Sequence, residues 1–168
     1  MSKEDLTVLS EFEYEIPGIE HGHTDQTLYD NVGSGEIKGR AVTEEMKEKF
    51  IGGRGFDLWL LWNGVNDDTT WDDPENEITI ASGPCGGITQ YPGSGKSIAS
   101  SISPLTEIVI DSNAGGHYGP YLKFAGWDAI EVQGKAERDV FVYVDGPAGK
   151  VRVIEAPEET PTNTQELG

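Results

Sequence analysis

Cysteine occurs once in this chain, at Cys85, and that scarcity closes off several chemistries together. No disulfide can form within the chain, and no set of thiolates exists for an iron–sulfur cluster or a structural zinc. Positive charge is scarce as well. Twelve lysines and arginines stand against 30 aspartates and glutamates, a formal net charge of -18. Such a field repels a nucleic-acid duplex or an anionic membrane surface, so neither is expected as a partner. Long apolar runs are also missing: none approaches the ~20 residues that span a bilayer, and no stretch near the start reads as an export signal. The cytoplasm is the expected location. The 168 residues suffice for one domain with its own core and fall short of a typical large redox enzyme.

Glycine, by contrast, is plentiful, with 22 residues grouped between short apolar runs. Residues 1–25 are acidic and aromatic without a clear period, and read as an extended arm lying on a partner or on the domain itself. Residues 26–155 carry the periodic segments and form the expected domain. From Ala156 the chain is rich in Pro, Glu and Thr and lacks apolar residues, so 156–168 reads as a tail or linker. Residues 28–32 and 36–38 flank Gly33-Ser34-Gly35 and predict a β-hairpin. Thr43 is a candidate N-cap, with Glu44 and Glu45 favoured by the dipole of the helix that follows and Met46 and Phe50 on one face. A second helix is expected from near Gly55; Phe56, Leu58, Trp59, Leu60, Leu61 and Trp62 make it apolar nearly all round, so it should be buried in a core or against another chain. Strands are expected at 78–81, 98–102, 107–111, 129–133, 140–144 and 151–155, where β-branched residues recur between turn-forming glycines and prolines. The fold class is α+β, rich in sheet, with a few short helices.

Several motifs admit two readings. Gly93-Ser94-Gly95-Lys96-Ser97 resembles the end of a P-loop, yet Gln90 stands where that motif needs glycine, and a strand rather than a helix follows. A phosphate-cradling loop of another kind suits the glycines, lysine and serine hydroxyls better. Asn113-Ala114-Gly115-Gly116 is either a tight turn or a ligand contact, with Asn113 hydrogen-bonding and the glycine amides approaching closely. Gly52-Gly53-Arg54-Gly55 reads as a turn between helices, with Arg54 paired to a carboxylate rather than to a ligand. His117 reads as a structural residue beside a glycine turn. His21 and His23 lack a third metal ligand nearby, and Cys85 reads as a small buried residue near the glycine loops.

In this order and spacing, Gly83-Pro84-Cys85-Gly86-Gly87, the Gly93–Ser97 segment, Asn113-Ala114-Gly115-Gly116, Leu122-Lys123-Phe124-Ala125-Gly126-Trp127-Asp128 and Gly134-Lys135-Ala136 resemble the N-terminal domain of the aldehyde:ferredoxin oxidoreductase family, the tungsten-pterin enzymes. The resemblance spans about residues 28–155. It implies a sheet-built base supporting a tungsten (or molybdenum) bis-pterin cofactor, with Lys96, Asn113, Ala114, Gly115 and Gly116 as contacts. Lys96 stands where the family usually has an arginine, keeping the charge without the planar fork. The resemblance further implies a [4Fe–4S] cluster ligated outside this chain, remaining domains or a large catalytic subunit as partner, an aldehyde substrate and ferredoxin as electron acceptor. The chain alone is then expected to be inactive, whether it is a fragment or a small subunit. A non-catalytic acidic module that binds a phosphorylated small molecule or a protein is the alternative.

Overall fold

The computed structural model describes residues 6–157 and sets two helices against one face of a six-stranded sheet, and a third helix with a three-stranded sheet against the other. The strands are β1 (Val8–Glu13), β2 (Gln26–Asn31), β3 (Glu36–Ala41), β4 (Glu77–Ser82), β5 (Ser97–Ile102), β6 (Val109–Ala114), β7 (Ala129–Gln133), β8 (Val140–Asp145) and β9 (Lys150–Glu155). The helices are α1 (Glu44–Lys49), α2 (Arg54–Gly64) and α3 (Tyr118–Phe124). The large sheet has the order β3-β2-β7-β4-β5-β6 and the small one β1-β9-β8. All pairs are antiparallel except β2 with β7, where Thr27 lies beside Ala129 and Asn31 beside Gln133.

Alternation along the central strands divides the interior in two. Leu28 and Ile130 are register partners on one face, where they meet Leu122, Ala125 and Trp127 from around α3 and Val151 from β9. Ala81 and Ala129 pair on the opposite face, small enough to let Phe56 and Leu60 of α2 and Met46 of α1 pack down on the sheet. Trp127, Phe56 and Leu28 are completely buried, and each such side chain contributes about 1.5–3 kcal/mol through removal from water. Expectation and structure agree on the hairpin, on the Thr43 cap, whose hydroxyl accepts from the Met46 amide, and on most strands.

Four differences have physical causes. Residues 8–13 of the expected arm form a strand whose edge is completed by β9, a pairing that no local period announces. The strand expected at 107–111 starts at Val109 instead. Glu107 takes φ +56 within a turn closed by its own amide donating to the Ser103 carbonyl, and the strand then runs on to Ala114. Thus Asn113 and Ala114 end a strand rather than sitting in a loop. Residues 118–124 form the helix α3, which the glycines and Pro120 had concealed; it ends at Gly126 with φ +97. Finally, the core of this chain buries only one side of α2, with Phe56, Leu60 and Leu61 inside and Trp62 80% exposed, so cover by another chain is the branch of the expectation left for that side. The tail from 156 lies outside the described residues except for Ala156 and Pro157.

Candidate functional site

Strands β4, β5 and β6 place their glycine-rich connections at one end of the large sheet. β4 leaves the sheet at Ser82, β5 enters at Ser97 and β6 leaves at Ala114, with Ser82, Ser97 and Ala114 in cross-strand register. Lys96 is one residue beyond Ser97, and Gly115 is one beyond Ala114. Asn113 pairs with Ile98. The residues singled out in the sequence therefore share one edge, although 17 positions separate Lys96 from Asn113. Close packing holds the two loops together, since a Cβ placed on Gly95 would lie 2.2 Å from the Gly116 carbonyl oxygen. The first turn of α3 is also near, since a Cβ placed on Gly119 would lie 3.1 Å from the Lys96 carbonyl oxygen.

Charge and space at this edge are both uncommitted. Among the described lysines and arginines, only Lys96 and Lys135 lack an ion pair. An exposed, unpaired ammonium in so acidic a chain is available to an anion. A Cβ on Gly115 would meet nothing within 4 Å, whereas Gly116 has φ +103 and is required by its own backbone. The fold itself thus demands glycine at 116 but leaves 115 open toward solvent.

Beneath these loops sits a clasp that the sequence reading assigned no role. Lys123 of α3 is 1% exposed and donates to the carbonyls of Gly22 at 2.5 Å and Gly83 at 2.6 Å. Its ammonium lies 3.8 Å from Asp128, whose carboxylate also accepts from the amides of Thr24 and Asp25. Burial pushes the Lys123 ammonium below its usual range, and the Asp128 charge resists that. One side chain thereby ties the root of the β4–β5 loop to the segment before β2. The available signal was a lone lysine inside the apolar run 122–125. Cys85, expected to be buried, is half-buried within this loop.

The other candidates are dispersed. Arg54 pairs with Asp111 of β6 at 2.5 Å, as the carboxylate-paired reading expected. His21 is exposed, while His23 faces Asp128 at 3.7 Å and the Phe56 ring. His117 packs against Tyr121. Among the described residues no group of three or more His, Cys, Asp or Glu could hold a metal ion. Under α2, Asp57 and Glu77 are buried with unpartnered carboxyl oxygens, and desolvation pushes them to about 8 and about 7. Glu131, in register with Thr79, is paired with Arg40 and Thr27. On the other face Asp30 is buried without a partner and is pushed to about 6. No described helix is long and apolar enough to cross a membrane.

Residues 27–167 match the family of the aldehyde ferredoxin oxidoreductase N-terminal domain. The chain is 37% identical over 131 residues to a tungsten-containing aldehyde ferredoxin oxidoreductase of Pyrococcus horikoshii, covering 78% of this chain and 21% of that one. A Pyrococcus furiosus protein of the same description is 38% identical over 124 residues, covering 74% and 20%. Among solved structures, the active site complex BamBC of benzoyl coenzyme A reductase with 1,5-dienoyl-CoA is similar, with a TM-score of 0.75 and 31% identity, over 80% of this chain and 20% of that one. The chain thus spans about a fifth of the length of these relatives. On this match of sequence and fold, the chain belongs to the aldehyde ferredoxin oxidoreductase N-terminal domain family.

Proposed function

We propose that this domain supports a tungsten (or molybdenum) bis-pterin cofactor within an oxidoreductase that converts aldehydes to carboxylic acids. The observation that carries this reading is the pairing of an unengaged cation, Lys96, with an unobstructed glycine, Gly115, on two loops locked together at one sheet edge. When bound, the metallopterin supplies the redox chemistry: the aldehyde carbon gains an oxygen from water and gives up two electrons and two protons. The residues of this chain bind and orient. Lys96 neutralises a phosphate of the cofactor, Asn113 hydrogen-bonds it, and the backbone from Ala114 to Gly116 allows the close approach that a side chain at 115 would block. Lys123 acts through these loops by fixing the root of the β4–β5 connection. A [4Fe–4S] cluster ligated outside this chain would supply the electron outlet toward ferredoxin, with the enzyme in the cytoplasm. Residues 26–155 act as the cofactor-supporting unit, which depends on the rest of the enzyme for turnover.

Lys96→Ala and Gly115→Val in the assembled enzyme test this site. Tungsten content should fall several-fold in the first variant and nearly vanish in the second, with the isolated domain melting as before. Full metal content and unchanged activity in both variants would remove the site assignment. A tungsten-free and molybdenum-free native assembly would instead favour an acidic binding module for a phosphorylated small molecule or a protein. The similarity to a benzoyl coenzyme A reductase complex favours a second reading, in which the same base serves the reduction of an aromatic acyl thioester. Assaying the whole enzyme with aldehydes and with acyl thioesters separates the two.

A further inference from the structure

Strand β6 terminates the large sheet, and every one of its six residues is exposed. Its outer edge therefore presents unpaired backbone donors and acceptors, a feature that soluble proteins usually cover or blunt. Beside it, on the face that bears α2, lies a trough of about 720 Å³ between α2 and the β5–β6 connection. Leu58, Trp62, Val65, Ile102, Ile108 and Val109 line it. Trp62 and Ile108 are 80% and 65% exposed, and Leu105 on the same connection is 90% exposed. Large apolar side chains gathered beside an open strand edge mark a contact surface rather than ordinary scatter.

We infer that β6 and this trough are the seat of the remaining portion of the oxidoreductase, with a segment of that portion lying along β6 and placing apolar side chains beside Trp62 and Ile108. This inference rests on the proposed membership in a larger enzyme, and two observations select the occupant. The matched relatives are about five times longer than the aligned segment, so a much larger remainder of such an enzyme is available to cover an open face of this domain. A second copy fits poorly: each carries a net charge of -18, so two copies brought face to face along β6 repel each other. The last residues of β6 are Asn113 and Ala114. A segment seated on β6 therefore also walls the edge that carries Lys96 and Gly115, closing the cofactor site from the side that this chain leaves open.

The test is photocrosslinking in the whole oxidoreductase that contains this chain, with benzoylphenylalanine in place of Ile108 and, in a second preparation, of Trp62. Both positions are exposed, so the replacements leave the domain core untouched. The expected adduct joins each position to a peptide of the enzyme outside residues 1–168. An adduct to a second copy of residues 1–168, or consumption of the probe without any intermolecular or interdomain adduct, overturns the inference. Metal analysis of the same preparations keeps the two readings apart. A metal-free assembly that gives the expected adduct sinks the cofactor reading alone, and a tungsten-loaded one without it sinks the docking face alone. The pair Trp62→Glu and Ile108→Glu should lower recovery of assembled enzyme at least tenfold while leaving the melting of the isolated domain in place; unchanged assembly counts against the inference.

Discussion

Gly115 and Gly116 are neighbours that are glycine for different reasons. At 116 the backbone sits at φ +103, where a side chain is strained whatever space surrounds it. Gly116→Ala should therefore destabilise the isolated domain by about 1–3 kcal/mol. Gly115→Ala should leave that stability unchanged within about 0.5 kcal/mol, because nothing stands within 4 Å of the added carbon. Chemical denaturation of the two variants checks this contrast, and any effect of Gly115→Ala then appears only in cofactor retention. Lys123 makes the opposite kind of prediction. Lys123→Met keeps the length of the side chain but abandons the Gly22 and Gly83 carbonyls and leaves Asp128 with less compensation. A loss on the order of 3 kcal/mol is expected, read as a lower melting temperature together with faster proteolysis between residues 83 and 96.

At the scale of elements, the sequence made legible whatever local chemistry controls. The hairpin at 33–35, the Thr43 cap and the β-branched runs each carry their own signal, and all but the run expected at 107–111 lie where the residues place them. Convergence of Lys96 with residues 113–116 was also legible, because two strands flanked by glycine loops bring their ends together. Tertiary features were not. The pairing of β1 with β9 spans the whole domain, and residues 8–13 contain no alternation strong enough to reveal it. Helix α3 was hidden because Gly119 and Pro120 read as breakers, although proline is tolerated in a first turn, where its missing N–H has no intrahelical partner. The clasp at Lys123 was illegible because its partners are carbonyls 101 and 40 residues away.

The whole molecule combines a strongly acidic surface with buried carboxyls that ionise reluctantly. Asp57, Glu77 and Asp30 have folded-state values of about 8, about 7 and about 6, above their ordinary carboxylate range because burial disfavours the charged form. The sign follows directly. Below pH ~3 these groups are neutral in both states and impose no ionisation penalty. As pH rises the unfolded chain ionises first, so stability is lost progressively until the folded groups ionise near pH 6–8. Repulsion within a chain of net charge -18 acts in the same direction. Stability measured by urea denaturation should therefore decline between pH 5 and pH 8, and added salt should offset only the repulsive part. Asp57→Asn should flatten the upper part of that decline, stabilising the domain by on the order of 2 kcal/mol at pH 8. A rising profile over this range would show these carboxyls to be compensated in the folded protein.

The single parallel pair in the large sheet sets a timetable for the nascent chain. β2 lies at the start of the domain, and its second neighbour, β7, begins 98 positions after β2 ends, at Ala129 following Asn31. While the ribosome is still making the middle of the chain, β2 and β3 can form their hairpin but have nothing to join on the other side. β1 waits longer still, until β9 is complete. β2, an inner strand next to the edge strand β3, is thus among the first made and among the last secured, and non-local pairing of this kind is intrinsically slow. A translational pause before residue 129 would leave the apolar side of β2, with Leu28 at its centre, uncovered at the tunnel exit for as long as the pause lasts.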